Sequence, residues 1–386
     1  MDIYFDNSAT TAVSKEAADK AYEIMLSGFG NPSSLHHMGV VAEEELKTAR
    51  KNVALLLARD EKGIIFTASG TEANNLAILG SVKTAKKKGN KIITALIEHP
   101  SVLEPCRYLE RNGFEVSYIQ VDRDGIIDLE QFEEALDENT VLVSVMSANN
   151  EVGTIQPLKQ IASFKDKYDF ILHTDMVQGM AKIKGEEIPR EVDLISVSGH
   201  KIHAPKGVGG LWIRDKLNLS PIVFGGGQEK GLRSGTENLP AIAGFSVASD
   251  QAFRNFDERI EKIKTLRNRL KEGLENEVND IRINTPLDIS IPSILNVTFR
   301  DVRAEVLLHT LEQDGIYVST GSACSSNKKG ESHVLKAMGL KNGDIEGAIR
   351  FSLSGYNTYK EVETVVEKVK NAVISFRRLG SFRQMR

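Results

Sequence analysis

Between residues 64 and 214 two kinds of segment alternate, and this alternation restricts the fold more than any other feature of the chain. Short runs rich in β-branched residues are IIFTA (64–68), KIITALI (91–97), EVSYIQV (115–121), VLVSVMSA (141–148), FILHTD (170–175) and LISVS (194–198). Helix-like stretches such as EANNLAILGSVKTAKK and LEQFEEAL separate most of them. Strands that take turns with helices build a mostly parallel sheet covered on both faces. The expected class is α/β, with ligands bound beyond the carboxyl ends of the strands. Polar residues that directly follow each apolar run are therefore the first candidates for chemistry.

The chain has 386 residues, more than one compact core usually holds, so two domains are expected. A largely helical, charge-rich stretch over 238–278 reads as a long connector. The pattern then resets. SILNVTF (293–299), a helix over 303–313, YVST (317–320), a helix near 333–338, AIRFSLS (348–354) and a last helix over 360–379 form a smaller α+β unit. The large domain is assigned to 15–255, and the small one to 1–14 together with 256–386.

A net charge of −4 offers no general attraction to nucleic acid or to a membrane surface. No apolar run approaches the ~20 residues that span a bilayer. The opening MDIYFDNSATT has acids and no basic leader, so a signal peptide is not expected. Two cysteines, Cys106 and Cys324, make no disulfide framework, and a reduced, cytoplasmic setting fits. Lys86, Lys87 and Lys88 read as a solvated helix end. The closing RRLGSFRQMR, with four arginines, reads as a frayed tail.

Lys201 follows DLISVS within SGHK. A lysine there is either a solvated strand end or an amine placed in the ligand crevice to bond a carbonyl. Asp175 ends FILHTD and faces the same crevice. It is either a helix cap or the acid that keeps a pyridine nitrogen protonated. FTASGTEANN (66–75) runs from a strand into a helix. Gly70 permits close backbone approach, and Thr71 with the free N–H groups suits a phosphate. The competing reading makes Thr71 a plain helix cap with Asn74 as its third residue, an imperfect capping box. His99 in IEHPS can be structural, or can stack on an aromatic ligand and move protons. Asn150 follows a further strand and can reach a ring hydroxyl or a carboxylate, and Gln178, three residues after Asp175, is a further candidate for the ring oxygen.

FGGGQEKGLRSGTEN (224–238) combines glycines with Arg233, Ser234 and Thr236, as an anion-handling loop or a linker would. VSTGSACSSNKKGES sets Cys324 among small and polar residues. That composition fits a mobile loop, where a thiol is exposed and nucleophilic. Lys328 and Lys329 assist a thiolate weakly. Cys106 reads as packing on a helix. Arg350 in AIRFSLS is a carboxylate fork or an ordinary ion pair. No set of residues suggests a metal site.

Together these pieces resemble the cysteine desulfurases of the NifS/IscS type. The resemblance runs through YFDNSATT, GNPSS, FTASGTEANNLAI, IEHPSV, ANNEVGTIQP, HTDMVQ, SGHKIHAPKGVGGLWIR, GGGQEKGLRSGTEN, STGSACSS and AIRFSLS, nearly the whole chain. It implies the fold type I of pyridoxal-phosphate enzymes and a homodimer. It implies Lys201 as the Schiff-base lysine, Asp175 as partner of the pyridine nitrogen, and His99 as stacking group and acid/base. Gln178 would touch the ring oxygen. Thr71, Ser198 and His200 would hold the phosphate, and Thr236 the phosphate of the other subunit. Asn150 and Arg350 would receive the substrate carboxylate, and Cys324 would carry the persulfide.

The spacing from Cys324 to His333 matches the family's long-loop group and implies a mobile cysteine arm. The implied reaction converts L-cysteine to L-alanine and passes the sulfur to an acceptor, an iron–sulfur scaffold or a tRNA-thiolation protein. One departure is Met176, where the family usually has a small residue. Rival readings are a selenocysteine lyase, an aminotransferase of the same fold type, and a sulfur-carrier module without cofactor.

Overall fold

The computed structural model of the protein describes residues 2–85, 89–320 and 332–384. The chain opens with a short strand β1 (Ile3–Tyr4) and two helices, α1 (Lys15–Leu26) and α2 (His37–Leu56). A seven-stranded sheet follows. Its strands are β2 (Ile64–Thr67), β3 (Lys91–Ala95), β4 (Glu115–Ile119), β5 (Thr140–Ser144), β6 (Ile171–Asp175), β7 (Leu194–Ser198) and β8 (Gly209–Ile213). The order across the sheet is β2-β8-β7-β6-β5-β3-β4. Neighbours from β4 to β7 run parallel, and β8 runs antiparallel to both β7 and β2. Helices α3 (Gly70–Ala85), α4 (Pro100–Arg111), α5 (Leu129–Ala135) and α6 (Leu158–Ser163) lie between the strands.

All six expected strands form, most of them shorter at the carboxyl end than the apolar run. The run stops pairing where it turns into the site. The exception to expectation is β8, GGLWI. Its two glycines carry no apolar alternation, so no strand pattern shows. Gly209 is there for space. A Cβ on Gly209 would sit 2.5 Å from the Ser69 carbonyl carbon, so β8 passes hard against the β2–α3 turn.

The stretch over 238–278 is not a connector. It splits at Asn255 into α7 (Leu239–Arg254) and α8 (Phe256–Glu277). Helix α7 is buried against α1 and α2, whereas α8 packs elsewhere, on the last helix. The remaining elements are β9 (Ile281–Ile283), β10 (Ile294–Phe299), α9 (Ala304–Gln313), β11 (Ile316–Tyr317), α10 (His333–Ala337), α11 (Asn342–Glu346), β12 (Ala348–Ser352) and α12 (Tyr359–Gln384). The second sheet has the order β12-β10-β9, antiparallel throughout, and β1 pairs with β11. The expected frayed tail is helical through Gln384. Lys86, Lys87 and Lys88 lie outside the described residues.

Two large apolar clusters hold these layers. One gathers Leu46, Phe66, Val143, Leu172, Ile195 and Phe245 around the large sheet. The other gathers Phe5, Leu270, Phe299, Leu307, Phe351 and Val365 around the second. Phe5 and Phe351 are fully buried, and truncating such a ring to alanine costs about 3–5 kcal/mol. Phe5 carries the N-terminal segment into the second cluster. Residues 6–11 are thereby led past the carboxyl edge of the large sheet.

Candidate active site

Five parallel strands end at one edge, and each delivers polar groups there. After β2 come Ser69, Gly70 and Thr71. After β3 comes His99, after β5 Asn150, after β6 Asp175 and Gln178, and after β7 Ser198, His200 and Lys201. These residues line a single cavity of about 250 Å³, closed on one side by Arg350 of β12 and by Ser8 and Ala9. Ligands in α/β sheets collect at this edge because the strand ends and helix starts both point there.

Asp175 is buried, and its two oxygens do different work. Oδ1 accepts from the Val177 N–H at 2.8 Å, which caps the turn after β6. Oδ2 accepts from Asn74 Nδ2 at 2.7 Å. The Asn74 amide also donates to Ser101 Oγ at 2.8 Å, and Ser101 Oγ lies 2.7 Å from His99 Nδ1. The Ser101 backbone N–H donates to the same nitrogen at 3.1 Å. Nδ1 is therefore the acceptor, and the proton of the neutral ring sits on Nε2. Burial lowers the proton affinity of His99, and the nearby Lys201 lowers it further, against the opposing pull of Asp175. Every donor in the line from Asp175 to His99 is thereby oriented.

Lys201 Nζ donates to two backbone carbonyls, Ser8 O at 2.5 Å and Ala9 O at 2.8 Å. Gln178 Nε2 donates to Ser8 O at 3.0 Å. The N-terminal segment thus sets the far wall. His200 has its proton affinity pushed down to about 4, first by burial and then by Lys201, and its Nδ1 pairs with Thr10 Oγ1 at 3.2 Å. Next to the cavity, Glu98 is wholly buried, and its carboxyl is held well above the ordinary range by desolvation.

The α3 start differs from expectation. The helix begins at Gly70, and the cap is Ser69, whose Oγ accepts from Glu72 N at 3.1 Å. Glu72 in turn accepts from Ala68 N at 3.0 Å, so Ser69 and Glu72 make the near-reciprocal pair. Thr71 is left exposed on the cavity rim. A Cβ on Gly70 would lie 2.8 Å from Val177 Cγ2 and 3.2 Å from Ser198 Cβ, so only glycine keeps this corner open. Among the described residues, four buried side-chain atoms around the cavity have no hydrogen-bond partner: Ser198 Oγ, Gln178 Oε1, Asn74 Oδ1 and Arg350 Nε.

Arg350 is buried, not a surface pair. It bonds Asp6 at 2.8 Å and Asn150 O at 2.9 Å, while its Nε has no partner. Arg233 Nε donates to Glu72 at 2.8 Å, which answers part of its charge inside the fold. Thr236 is exposed and does not line the cavity of its own chain. Met176 is fully buried in the large core, so its bulk is taken up beneath the sheet edge and not in the cavity. Cys106 is buried in α4, with its thiol pushed up to about 12 by desolvation. It is packing, as expected.

Cys324, Lys328 and Lys329 lie outside the described residues. The chain on both sides of that stretch is tied to the site. Ser319 exchanges backbone hydrogen bonds with Arg350. Ser332 Oγ donates to the buried Glu151 carboxylate at 2.5 Å, and His333 Nε2 meets Glu98 O at 3.0 Å. Among the described residues no His/Cys/Asp/Glu group could hold a metal ion, and no helix is long and apolar enough to cross a membrane.

Comparison with known proteins agrees with this geometry. Residues 3–365 match the aminotransferase class-V family. A cysteine desulfurase IscS of Dictyoglomus turgidum is 38% identical over 383 residues, covering 99% of this chain and 97% of that protein. A cysteine desulfurase IscS of Methanosarcina thermophila is 40% identical, covering 98% and 93%. Among solved structures, a NifS-like protein superposes with a TM-score of 0.90 at 40% identity, covering 97% of this chain and all of that one. SspA in complex with cysteine superposes with a TM-score of 0.80 at 35% identity, covering 92% and 100%. The chain belongs to the class-V aminotransferase family, and within it to the cysteine desulfurases of the NifS and IscS type.

Proposed function

We propose that the cavity at the strand edge binds pyridoxal 5'-phosphate and removes sulfur from L-cysteine, leaving L-alanine and a persulfide on Cys324. The observation that carries this reading is the convergence of Lys201, Asp175 and His99 on one pocket with four buried polar atoms around it that have no partner among the described residues. Most buried polar groups in proteins are hydrogen-bonded, and four unpartnered ones gathered on one pocket fit a polar ligand. Ser198 Oγ, beside the open Gly70 corner and the start of α3, fits a phosphate. An acid at the β6 end fits a protonated ring nitrogen, and an amine across the pocket fits an aldehyde.

In this reading Lys201 Nζ anchors the cofactor covalently and Asp175 accepts the ring N–H. Gln178 contacts the ring oxygen, and Thr71, Ser198 and His200 hold the phosphate. Thr236 serves the phosphate of a second copy. Bound pyridoxal phosphate supplies an electron sink for the charge left when a substrate Cα loses its proton. Asn150 and Arg350 orient the substrate carboxylate. Lys201 Nζ, released when the substrate's amine takes its place on the cofactor, would take the Cα proton, and His99, neutral and with its proton on Nε2, would serve as acid/base and pack on the ligand. The Cys324 thiolate then attacks the substrate sulfur. The new S–S bond forms as the carbon–sulfur bond breaks, and the released pair ends as a C–H bond of L-alanine. Ties from both flanks of the Cys324 stretch to Arg350 and Glu151 support its reach to the site.

The working unit in this reading is a homodimer of two domains meeting near residue 255, in a reducing, cytoplasmic setting, with a sulfur-acceptor protein of the iron–sulfur scaffold or tRNA-thiolation kind. The dimer is supported by large apolar side chains left exposed on and beside α1 and α2, among them Tyr22, Met25, Leu26, Phe29 and Leu35, and by Phe224 next to the glycine loop. Patches of this kind mark interfaces. Incubation of the purified protein with L-cysteine, followed by alanine assay and mass spectrometry of the Cys324 peptide, tests the reading. It predicts equimolar alanine and one added sulfur on Cys324. Alanine without sulfur on Cys324, or sulfur on Cys106, overturns the thiol assignment.

A further inference from the structure

A second and much smaller cavity of about 20 Å³ shares Ser8 and Lys201 with the main pocket. Its walls come from both clusters of the fold. Lys182, Lys201 and His203 belong to the large-sheet side, whereas Arg259 of α8 and Ser293 and Ser354 belong to the second-sheet side. Three buried donor atoms of these walls have no hydrogen-bond partner among the described residues: Lys182 Nζ, Arg259 Nε and Ser293 Oγ. The Lys182 stem touches solvent, but its Nζ is buried. No Asp or Glu lines the cavity among the described residues.

The arrangement is anomalous as it stands. Burying an ammonium without a partner is costly, and a guanidinium lies close by. Desolvation and the neighbouring Arg259 and Lys201 push the Lys182 ammonium down to about 7. Arg259 is fixed in place, since its Nη2 donates to Ala181 O at 2.6 Å. The backbone around the cavity is also held in an unfavourable state. Ala181 and His203, both on its wall, have left-handed φ values of 60° and 69°. Non-glycine residues adopt that region uncommonly, and such strained positions cluster at ligand clamps and active sites.

The occupant can be deduced from size and charge. One water needs roughly 10–15 Å³ of such space, so the cavity holds a single atom-sized guest and excludes phosphate or a carboxylate. A water has two acceptor positions for three donors and brings no charge. A halide accepts from all three donors at once and offsets the charge on Lys182 and Arg259. We propose that this cavity is a binding site for a monatomic anion of the chloride class, clipped between the two halves of the molecule through Lys182, Arg259 and Ser293. The site does not depend on the cofactor reading, because neither Lys182 nor Arg259 lines the main pocket.

The test uses the full-length protein. Its thermal midpoint is followed in sodium chloride and sodium bromide against sodium gluconate at matched ionic strength. A bound anion raises the midpoint along a saturating curve, as a ligand of the native state must. The rise is expected in wild type and absent in Lys182→Met. Ser293→Ala, a milder change, is expected to move the half-saturating chloride concentration several-fold upward, and it decides the matter if Lys182→Met does not fold. Crystals grown in bromide are expected to give an anomalous-scattering peak between Lys182 and Arg259. Identical midpoints in chloride and gluconate, an equal chloride response in the variants, or water with no bromide signal in the cavity each overturn the proposal.

Discussion

The amide of Asn74 donates to Asp175 Oδ2 at 2.7 Å and to Ser101 Oγ at 2.8 Å. One side chain on α3 therefore joins the acid at the end of β6 to the hydroxyl that rests on His99. Asp175 ends β6 and His99 caps the start of α4, 76 positions apart in the chain, yet a single amide determines how both present themselves to the pocket.

Replacing Asn74 with alanine removes both bonds. A hydrogen bond to a charged group contributes about 1.5–3 kcal/mol, so cysteine turnover is expected to fall about ten- to a hundred-fold. The yellow colour of the bound cofactor is expected to persist, because Lys201 is untouched. Steady-state kinetics alongside an absorbance spectrum check this. An unchanged rate would remove Asn74 from the account.

Changing Cys324 to serine is expected to leave the cofactor spectrum intact and to abolish transfer of sulfur to any acceptor. Labelled cysteine and a reductant-release assay measure it. Undiminished sulfide release in this variant would favour a reaction that ignores the loop thiol, as a selenocysteine lyase or aminotransferase reading requires.

Buried imidazoles make stability depend on pH. His173 is wholly enclosed between Ser144 and Ser196, and burial depresses it to about 3, below the ordinary 6.5. Its folded pKa is lowered, so its stabilising contribution is complete above about 6.5 and is lost progressively as the pH falls toward 3. Glu98 and Glu151, whose pKa values are raised by burial, act in the opposite sense. The informative comparison is therefore with His173→Gln. Denaturant midpoints between pH 6.5 and 4.5 are expected to fall more steeply in wild type than in the variant. Parallel curves would contradict the burial effect.

A second copy is expected to cover the apolar side chains of α1 and α2. Phe29 and Phe224 are 67% and 76% exposed. Phe29→Asp with Phe224→Asp is expected to convert a dimer into monomers, read by sedimentation, and to weaken cofactor retention by removing Thr236 of the other copy. A wild-type monomer would refute this part.

Much of the site was legible because strand ends advertise themselves. Lys201, Asp175, His99, Asn150 and Gln178 each follow an apolar run, and each lines the pocket. The cap of α3 is Ser69, two residues before the Thr71 of the competing cap reading, and Ser69-Gly70-Thr71-Glu72 has the spacing of a capping box. The carbonyls of Ser8 and Ala9 had no such signal, since a backbone oxygen has no side-chain identity and Lys201 is more than 190 positions away. Asn74 and Ser101 were hidden for a related reason: both sit one helical turn or less inside α3 and α4, where a polar residue reads as ordinary solvated surface. The split of 238–278 was obscured because small residues in α7, such as Ala243, Gly244 and Ala248, give a close-packed face little apolar weight.

Trapping the cofactor linkage with borohydride, then mapping the modified lysine, tests the central claim most directly. Lys182 is a demanding rival, as its amine is lowered to about 7 and sits one cavity away. The account predicts a pyridoxyl group on Lys201 alone, with no visible band in Lys201→Ala. Label on Lys182, label on no lysine, or a band that survives in Lys201→Ala would contradict it.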